Sequence, residues 1–483
     1  MKDQLAKLEK ASKQLEPDST EREKIRNKVI NYTENFLNEI NSLPAYVMRE
    51  EKGKGIFESP IKEEPDSIEE IINLVYKNVD TQGLNPASGG HLGYIPGGGI
   101  YSASLGDYMA DITNRYAGIF FASPGAVRME NMLIDWMADM VGYKKGYAGN
   151  LTSGGSIANL IAIVTARDSF DIKARDIEKT VFYATEHSHH CIDKAIRIAG
   201  LKEAVRRNIP MDSNYRMNAE KLEQQISTDM NSGLKPFMII ASAGTTDVGA
   251  IDPLKEIGNL ATKYKLWYHI DGAYGAFFAL TDEGKQKLQG MELSDSIVMD
   301  PHKGLFLPYG LGTVIIKEKN KLYNSHYYVA NYMQDAHKAP EELSPAELSP
   351  ELTKHFRGLR LWLPLKLHGV KPFRKCLEEK LLLAKYFYAE VQKLGFEVGP
   401  EPELSVVTFR YVPENKDADK FNEMLVNEIH KDGRVFISSS KLDGKFILHL
   451  AILSFRTHLS TIDLALQVLK EVVEKVKSEL KQQ

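Results

Sequence analysis

Short apolar runs recur along the middle of the chain, at residues 181–184, 237–241, 266–270, 297–299 and 313–316. Each is too short for a helix and ends at polar or turn residues, so each predicts a buried strand. Helical periodicity fills the intervals, as at 253–264. Strands alternating with helices predict an α/β organisation around a largely parallel sheet. Upstream, Met129, Met132, Leu133, Trp136, Met137 and Met140 recur at helical spacing and mark the core face of a helix. A helix is expected from Ser102, and an apolar helix carrying Leu160, Ile161, Ile163 and Val164 follows Ser156. Residues 1 to about 41 read as charge-rich helices. Thr20-Glu21-Arg22-Glu23 and Ser67-Ile68-Glu69-Glu70 fit capping boxes. The Pro/Gly/Lys-rich stretch 43–65 between them is expected to be extended. From Lys371 the pattern predicts a helix, a strand at 405–411, a helix at 417–430, strands near Val435 and Ile447, and a final helix from Thr461. Three parts result: an N-terminal helical dimerisation segment (1–90), a large domain (91–368) and a small C-terminal α+β domain (369–483).

Composition narrows the function classes. The 483 residues are 43% apolar and 26% charged, which is globular, and the length calls for more than one core. A net charge of -4, from 61 basic and 65 acidic residues, argues against nucleic acid as the main partner. No apolar run is long enough to span a bilayer, and the charged start carries no signal-peptide core. Two cysteines, Cys191 and Cys376, give no disulfide framework, so the cytoplasm is the expected compartment.

The chemistry concentrates where two predicted strands stop. The run 266–270 ends at Asp271-Gly272, and the run 297–299 ends at Asp300-Pro301-His302-Lys303-Gly304. Ligands of open α/β sheets bind beyond the carboxyl ends of the strands, so this Asp and this Lys are expected to face one crevice. A carboxylate and an amine so placed suit pyridoxal 5'-phosphate: the lysine forms the Schiff base, and the aspartate holds a proton on the pyridine nitrogen. A plain structural ion pair is the competing reading. The Gly pair before Ser156 opens a helix whose free N–H groups suit a phosphate, against the alternative of an ordinary turn. His187, His189 and His190 invite a metal reading, but no Cys or carboxylate shares the spacing of a zinc site, and no metal is expected.

Together the motifs SGGSIAN, HSHHCIDKA, AGTTDVGAIDPL, HIDGAYG, DSIVMDPHKG and FRGLRLW carry a resemblance. In this order they resemble the pyridoxal-phosphate-dependent group II amino-acid decarboxylases, and most of all the aromatic L-amino-acid decarboxylases. The resemblance runs from about Gly90 to the C-terminus. It implies a fold type I enzyme that works as a homodimer with shared active sites. It also implies a role for each matched residue. Lys303 resembles the Schiff-base lysine, Asp271 the pyridinium partner, Ala273 the small residue beneath the ring, and His189 the stacked imidazole. Gly155 and Ser156 match the phosphate loop, with His302 and Asp300 beside it, and Thr246 matches the threonine near the ring substituents. Tyr94, Pro96, Phe120 and Phe121 match segments that line the substrate pocket across the dimer interface. Tyr332, counted without gaps from Lys303, falls where these enzymes carry a catalytic-loop tyrosine. Asp300, Gly304 and the pair His190-Cys191 depart from common family patterns, which leaves the substrate open.

The expected function is decarboxylation of an L-amino acid, with an aromatic one as the expected substrate, to its amine and CO2. Alternatives are an acidic substrate such as glutamate or aspartate, which a pocket Arg or Lys would favour, an aromatic aldehyde synthase, or a non-catalytic scaffold. The polar stretch 317–354, with Pro340, Pro345, Pro350 and little sustained periodicity, is expected to form a lid that carries Tyr332.

Overall fold

The computed structural model describes residues 1–328, 342–414 and 416–482. Seven strands build the central sheet: β1 Ala148–Thr152, β2 Thr180–Ala184, β3 Val205–Asn208, β4 Lys235–Ser242, β5 Trp267–Asp271, β6 Ser296–Met299 and β7 Gly312–Ile316. Their order is β1-β7-β6-β5-β4-β2-β3. Strand β7 is antiparallel to both of its neighbours, and the other described pairings are parallel. The apolar runs become strands because both faces are buried. Trp267 of β5 packs in one cluster with Ala158, Ile161 and Ala162, whereas Tyr268 and Ile270 pack in the cluster on the opposite face. A two-residue period thus sends alternate side chains of one strand into two cores.

Two strands of this sheet escaped the pattern. Strand β3 lies at the sheet edge and carries Arg206 and Arg207, so it has no apolar run to reveal it. Strand β1 is AGNLT, and its Gly149 approaches Val314 closely; a Cβ there would sit 2.5 Å from the Val314 carbonyl oxygen. Helices cover the sheet. They include α5 Pro124–Val141, α6 Gly155–Ser169 and α7 Cys191–Ile198; ahead of these in the chain come α1 Lys2–Ser12, α2 Ser19–Glu39, α3 Ile68–Val75 and α4 Tyr101–Thr113, of which α1, α2 and α3 bury no side chain. The C-terminal part holds a four-stranded antiparallel sheet of β8 Phe396–Val398, β9 Val406–Tyr411, β10 Ser438–Leu442 and β11 Lys445–Ala451, in the order β8-β9-β11-β10. Among the described residues, no helix is long and apolar enough to cross a membrane.

Several local expectations shift. The box at Ser67 forms as expected, with Glu70 as its partner, but α2 is capped by Asp18 and Glu21 rather than by Thr20 and Glu23. Asp18 accepts the Glu21 N–H at 2.9 Å, and aspartate is the stronger N-cap. The strand expected near Val435 begins at Ser438, because Phe436 instead bridges His91. Within 43–65, Tyr46–Val47 pairs with Gly83–Leu84 and a 3-10 turn spans Lys54–Ile56. The stretch expected to be irregular opens with the helix Lys319–His326. At its far end, Lys354 is fully buried and donates to Glu130 and to Asn150 at 2.8 Å each, and to the Leu151 carbonyl at 3.2 Å. This buried ammonium ties the chain to β1, the strand that feeds the glycine turn before α6. Tyr332 lies outside the described residues.

Candidate active site

β5 and β6 are parallel neighbours, and both stop at the same edge of the sheet. β5 ends on Asp271; β6 runs into Asp300 and the helical turn Pro301–Gly304, which carries His302 and Lys303. The turn Ser153-Gly154 into α6 closes the same cavity. Its volume is about 380 Å³, within the usual span of small-molecule sites, roughly 300–1,000 Å³. The structure brings together Gly155, Ser156, His189, Thr246, Asp271, Ala273, Asp300, His302 and Lys303, all of which line this cavity. Tyr94, Pro96, Phe120 and Phe121 are not among its lining residues. Tyr94 is exposed, has a φ of +56°, and packs against Phe436. Phe121 is exposed, and Phe120 carries the Arg128 guanidinium over its ring.

Lys303 pairs with the buried Asp300, Nζ to Oδ2 at 3.1 Å. Burial alone would pull the lysine's pKa down; the Asp300 and Asp271 carboxylates outweigh it and hold the value above the ordinary one. The other oxygen of Asp300, Oδ1, is buried and has no hydrogen-bond partner among the described residues. Asp271 accepts the Ala273 N–H on Oδ1 at 3.1 Å and the Asn159 amide on Oδ2 at 3.2 Å. His189 accepts the Cys191 N–H on Nδ1 at 3.3 Å, so its proton resides on Nε2 when the ring is neutral. Burial lowers the pKa of His189, with Asp271 opposing. Burial likewise pushes the Cys191 thiol up to about 12.

No side chain caps α6, so its first-turn N–H groups are open to a ligand. Gly154 has a φ of +154°, and a Cβ on Gly155 would sit 2.9 Å from Asp300 Oδ2, so both positions need glycine. His302 is oriented by its Nδ1, which lies 2.5 Å from the Leu311 carbonyl and must donate to it. Burial lowers its pKa, and Asp300 opposes that.

These groups fit pyridoxal phosphate. An amine suits its aldehyde, a carboxylate its ring nitrogen, and a glycine-opened helix N-terminus its phosphate. A family model described as the pyridoxal-dependent decarboxylase conserved domain matches residues 44–412. The chain belongs to this family. It is 33% identical over 418 residues to an aromatic-L-amino-acid decarboxylase of Bacillus atrophaeus, covering 85% of this chain and 86% of that protein. It is 27% identical over 403 residues to a phenylacetaldehyde synthase of Arabidopsis thaliana, covering 80% and 82%. The crystal structure of Oryza sativa TDC with PLP and tryptamine superposes with a TM-score of 0.88 at 23% identity, covering 95% of this chain and 98% of that one, and shares its fold. This decarboxylase is therefore a fold type I enzyme that uses pyridoxal phosphate to decarboxylate an amino acid.

Sequence reasoning missed Asn159, which sits one helical turn beyond Gly155 and Ser156 and reaches Asp271. A polar residue inside the apolar face of α6 was the available signal. The buried His269, between Tyr268 and Ile270 of β5, carried a similar signal.

Proposed function

We propose that this decarboxylase acts on an aromatic L-amino acid, releasing the aryl amine and CO2. The observation that carries the reading is the convergence of Lys303, Asp271 and the open N-terminus of α6 on one cavity. Lys303 is the only Lys or Arg among the described lining residues, and an acidic side chain would call for a second cation.

When bound, pyridoxal phosphate supplies the electron sink for the pair released with CO2. Gly155, Ser156 and His302 hold the phosphate. Lys303 would hold the aldehyde of the bound cofactor, and its amine could carry a proton. Asp271 keeps the ring nitrogen protonated, with Ala273 and Thr246 beside the ring. His189, which lines the same cavity, would restrain the cofactor ring and orient the substrate carboxylate. Tyr332 delivers the proton to the substrate α-carbon. For that step the site needs an acid in reach and water excluded.

Incubation with the twenty amino acids, DOPA and 5-hydroxytryptophan, followed by assay of CO2, amines and aldehydes, tests both substrate and proton donor. Aromatic amines are expected from the parent enzyme. Tyr332→Phe keeps the ring but loses the acid, so amine should fall and aldehyde with ammonia should rise. Preferential turnover of glutamate or aspartate would overturn the aromatic assignment. Amine at the parental rate without aldehyde would remove Tyr332 from the mechanism.

The active site is proposed to be shared by two copies. None of the described side chains of α1 or α2 is buried in the isolated chain. A cavity of about 810 Å³ lies between α2 and α3, lined by Tyr32, Phe36, Val47, Ile72 and Tyr76. This surface is proposed to receive the partner's α2 region. Tyr94, Pro96, Phe120 and Phe121 are then the residues each copy lends to the other's substrate pocket. This division assigns residues 1–90 to dimerisation, 91–368 to the cofactor domain and 369–483 to the small domain. Sedimentation at assay concentration should give a dimer, and an active monomer would reject the arrangement.

A further inference from the structure

Four polar side chains outside the expected site stand in single file and end on Asp271. Trp267 Nε1 donates to Ser296 Oγ at 2.8 Å. Ser296 Oγ lies 2.8 Å from His269 Nδ1, and His269 Nε2 lies 2.7 Å from Asn159 Oδ1. Asn159 Nδ2 donates to Asp271 Oδ2 at 3.2 Å. All four of these residues are at most 1% exposed. The file follows from the strand period: Trp267, His269 and Asp271 are alternate residues of β5 and share one face. Ser296 is the β6 residue in register with His269, and Asn159 comes from α6, which packs on that face.

Histidine tautomers and amide orientations are ordinarily ambiguous, but here both ends of the file settle them. An indole only donates and a carboxylate only accepts. Asn159 therefore turns its NH2 to Asp271 and its carbonyl to His269. His269 must then carry its proton on Nε2, leaving Nδ1 to accept the Ser296 hydroxyl, whose oxygen accepts the Trp267 indole. The donors along the file run toward Asp271, and Asn159 Nδ2 also meets Cys191 Sγ at 3.4 Å. His269 stays neutral in this role, since burial pulls its pKa down to about 4 against the opposing Asp271 charge and the Ser296 backbone. In a dry interior such a one-way chain polarises along its length.

We propose that Asn159, His269, Ser296 and Trp267 form a positioning relay that holds the Asp271 carboxylate in the one orientation that protonates the cofactor's ring nitrogen. The proposal rests on the role of Asp271 given above, and it extends the site to four residues that do not touch the reacting atoms. The titratable groups around Asp271 are Lys303 and Asp300 after β6, and His189 and Cys191 at the start of α7. Of these only Cys191 touches the relay, through Asn159 Nδ2, so changes at His269 and Ser296 leave the lysine and the phosphate cradle in place.

The test has two arms. In the cofactor-free protein, nitrogen NMR of 15N-labelled histidine, assigned by loss of the signal in His269→Gln, should find His269 as the neutral Nε2–H tautomer from pH 7 down to about pH 4.5. The Nδ1–H tautomer, or a ring that charges near pH 6.5, would overturn the relay whether or not the chain decarboxylates anything. In the loaded enzyme, His269→Leu should keep KM and cofactor content. It should lower kcat by roughly 10–100-fold, the scale of second-layer partners. It should also raise the pH midpoint of the cofactor's visible absorbance, because a ring nitrogen that loses its charge no longer opposes protonation of the lysine linkage. His269→Gln, which keeps a donor and an acceptor, should recover most of kcat, and Ser296→Ala should fall between the two. If His269→Leu does not fold, the graded pair Ser296→Ala and His269→Gln carries the same comparison. An unmoved midpoint with parental kcat in the variants would overturn the proposal. Asp271→Asn run alongside separates the outcomes: if that change is also harmless, the role of Asp271 fails first.

Discussion

Lys303→Ala is expected to abolish amine production, with turnover down at least ~1000-fold, because one residue supplies both the covalent hold and a proton-moving amine. Borohydride should fix the cofactor to Lys303 in the parent and to no residue in the variant. The cofactor should still bind, since the open first turn of α6 and His302 do not depend on the lysine. Stability should fall as well. Asp300 is only 2% exposed and loses its cationic partner. Breaking a buried pair from one side costs roughly 3–5 kcal/mol, and the cavity-facing exposure of Lys303, 24% of its side chain, reduces that figure. The double variant Lys303→Ala/Asp300→Asn should therefore regain melting temperature without regaining activity. A reducible cofactor linkage on another lysine in Lys303→Ala would refute the assignment.

Asp271→Asn should leave cofactor content near the parental value and lower turnover by at least ~100-fold, the scale of one well-placed electrostatic group. The substitution is isosteric and keeps an acceptor for the Ala273 N–H at Oδ1. What it removes is the negative charge that keeps the ring nitrogen protonated. It also ends the acceptor-only terminus that orients Asn159, so the amide can flip and the chain behind it loses its direction. Turnover close to the parental rate would show that the ring nitrogen needs no carboxylate at this position.

Much of the site was legible in the chain because its signals are local. An apolar run that stops at Asp-Gly or at Asp-Pro-His-Lys marks a strand end, and parallel neighbours deliver such ends to one edge. Asp271 and Lys303 were placed in a common crevice on that ground alone, and the structure puts both in one cavity. The glycine pair before Ser156 was legible in the same way, since a helix that opens on Gly-Gly leaves its first amides free. The five apolar runs became five strands of the sheet because residues buried on both faces need no register to be recognised.

What the chain could not declare is whatever depends on partners far away in sequence. Asn159 and Asp271 are 112 residues apart and Lys354 and Glu130 are 224 apart, and only the packing of α6 on β5 and of residue 354 against α5 turns them into hydrogen-bonded pairs. Strand β3 declares itself only by pairing with β2, because at the sheet edge a charged side chain finds a partner on either face, Arg206 with Asp193 and Arg207 with Asp229. The amino-acid sequence by itself determined the α/β class, the strand ends and the identities of the amine, the carboxylate and the glycine turn, since those follow from short-range period and chain stiffness. The tertiary structure alone decided which oxygen of Asp271 is held, which nitrogen of His269 carries the proton and which way Asn159 turns. A hydrogen bond needs its donor and acceptor about 3 Å apart and aligned, and no local rule of the chain sets that distance.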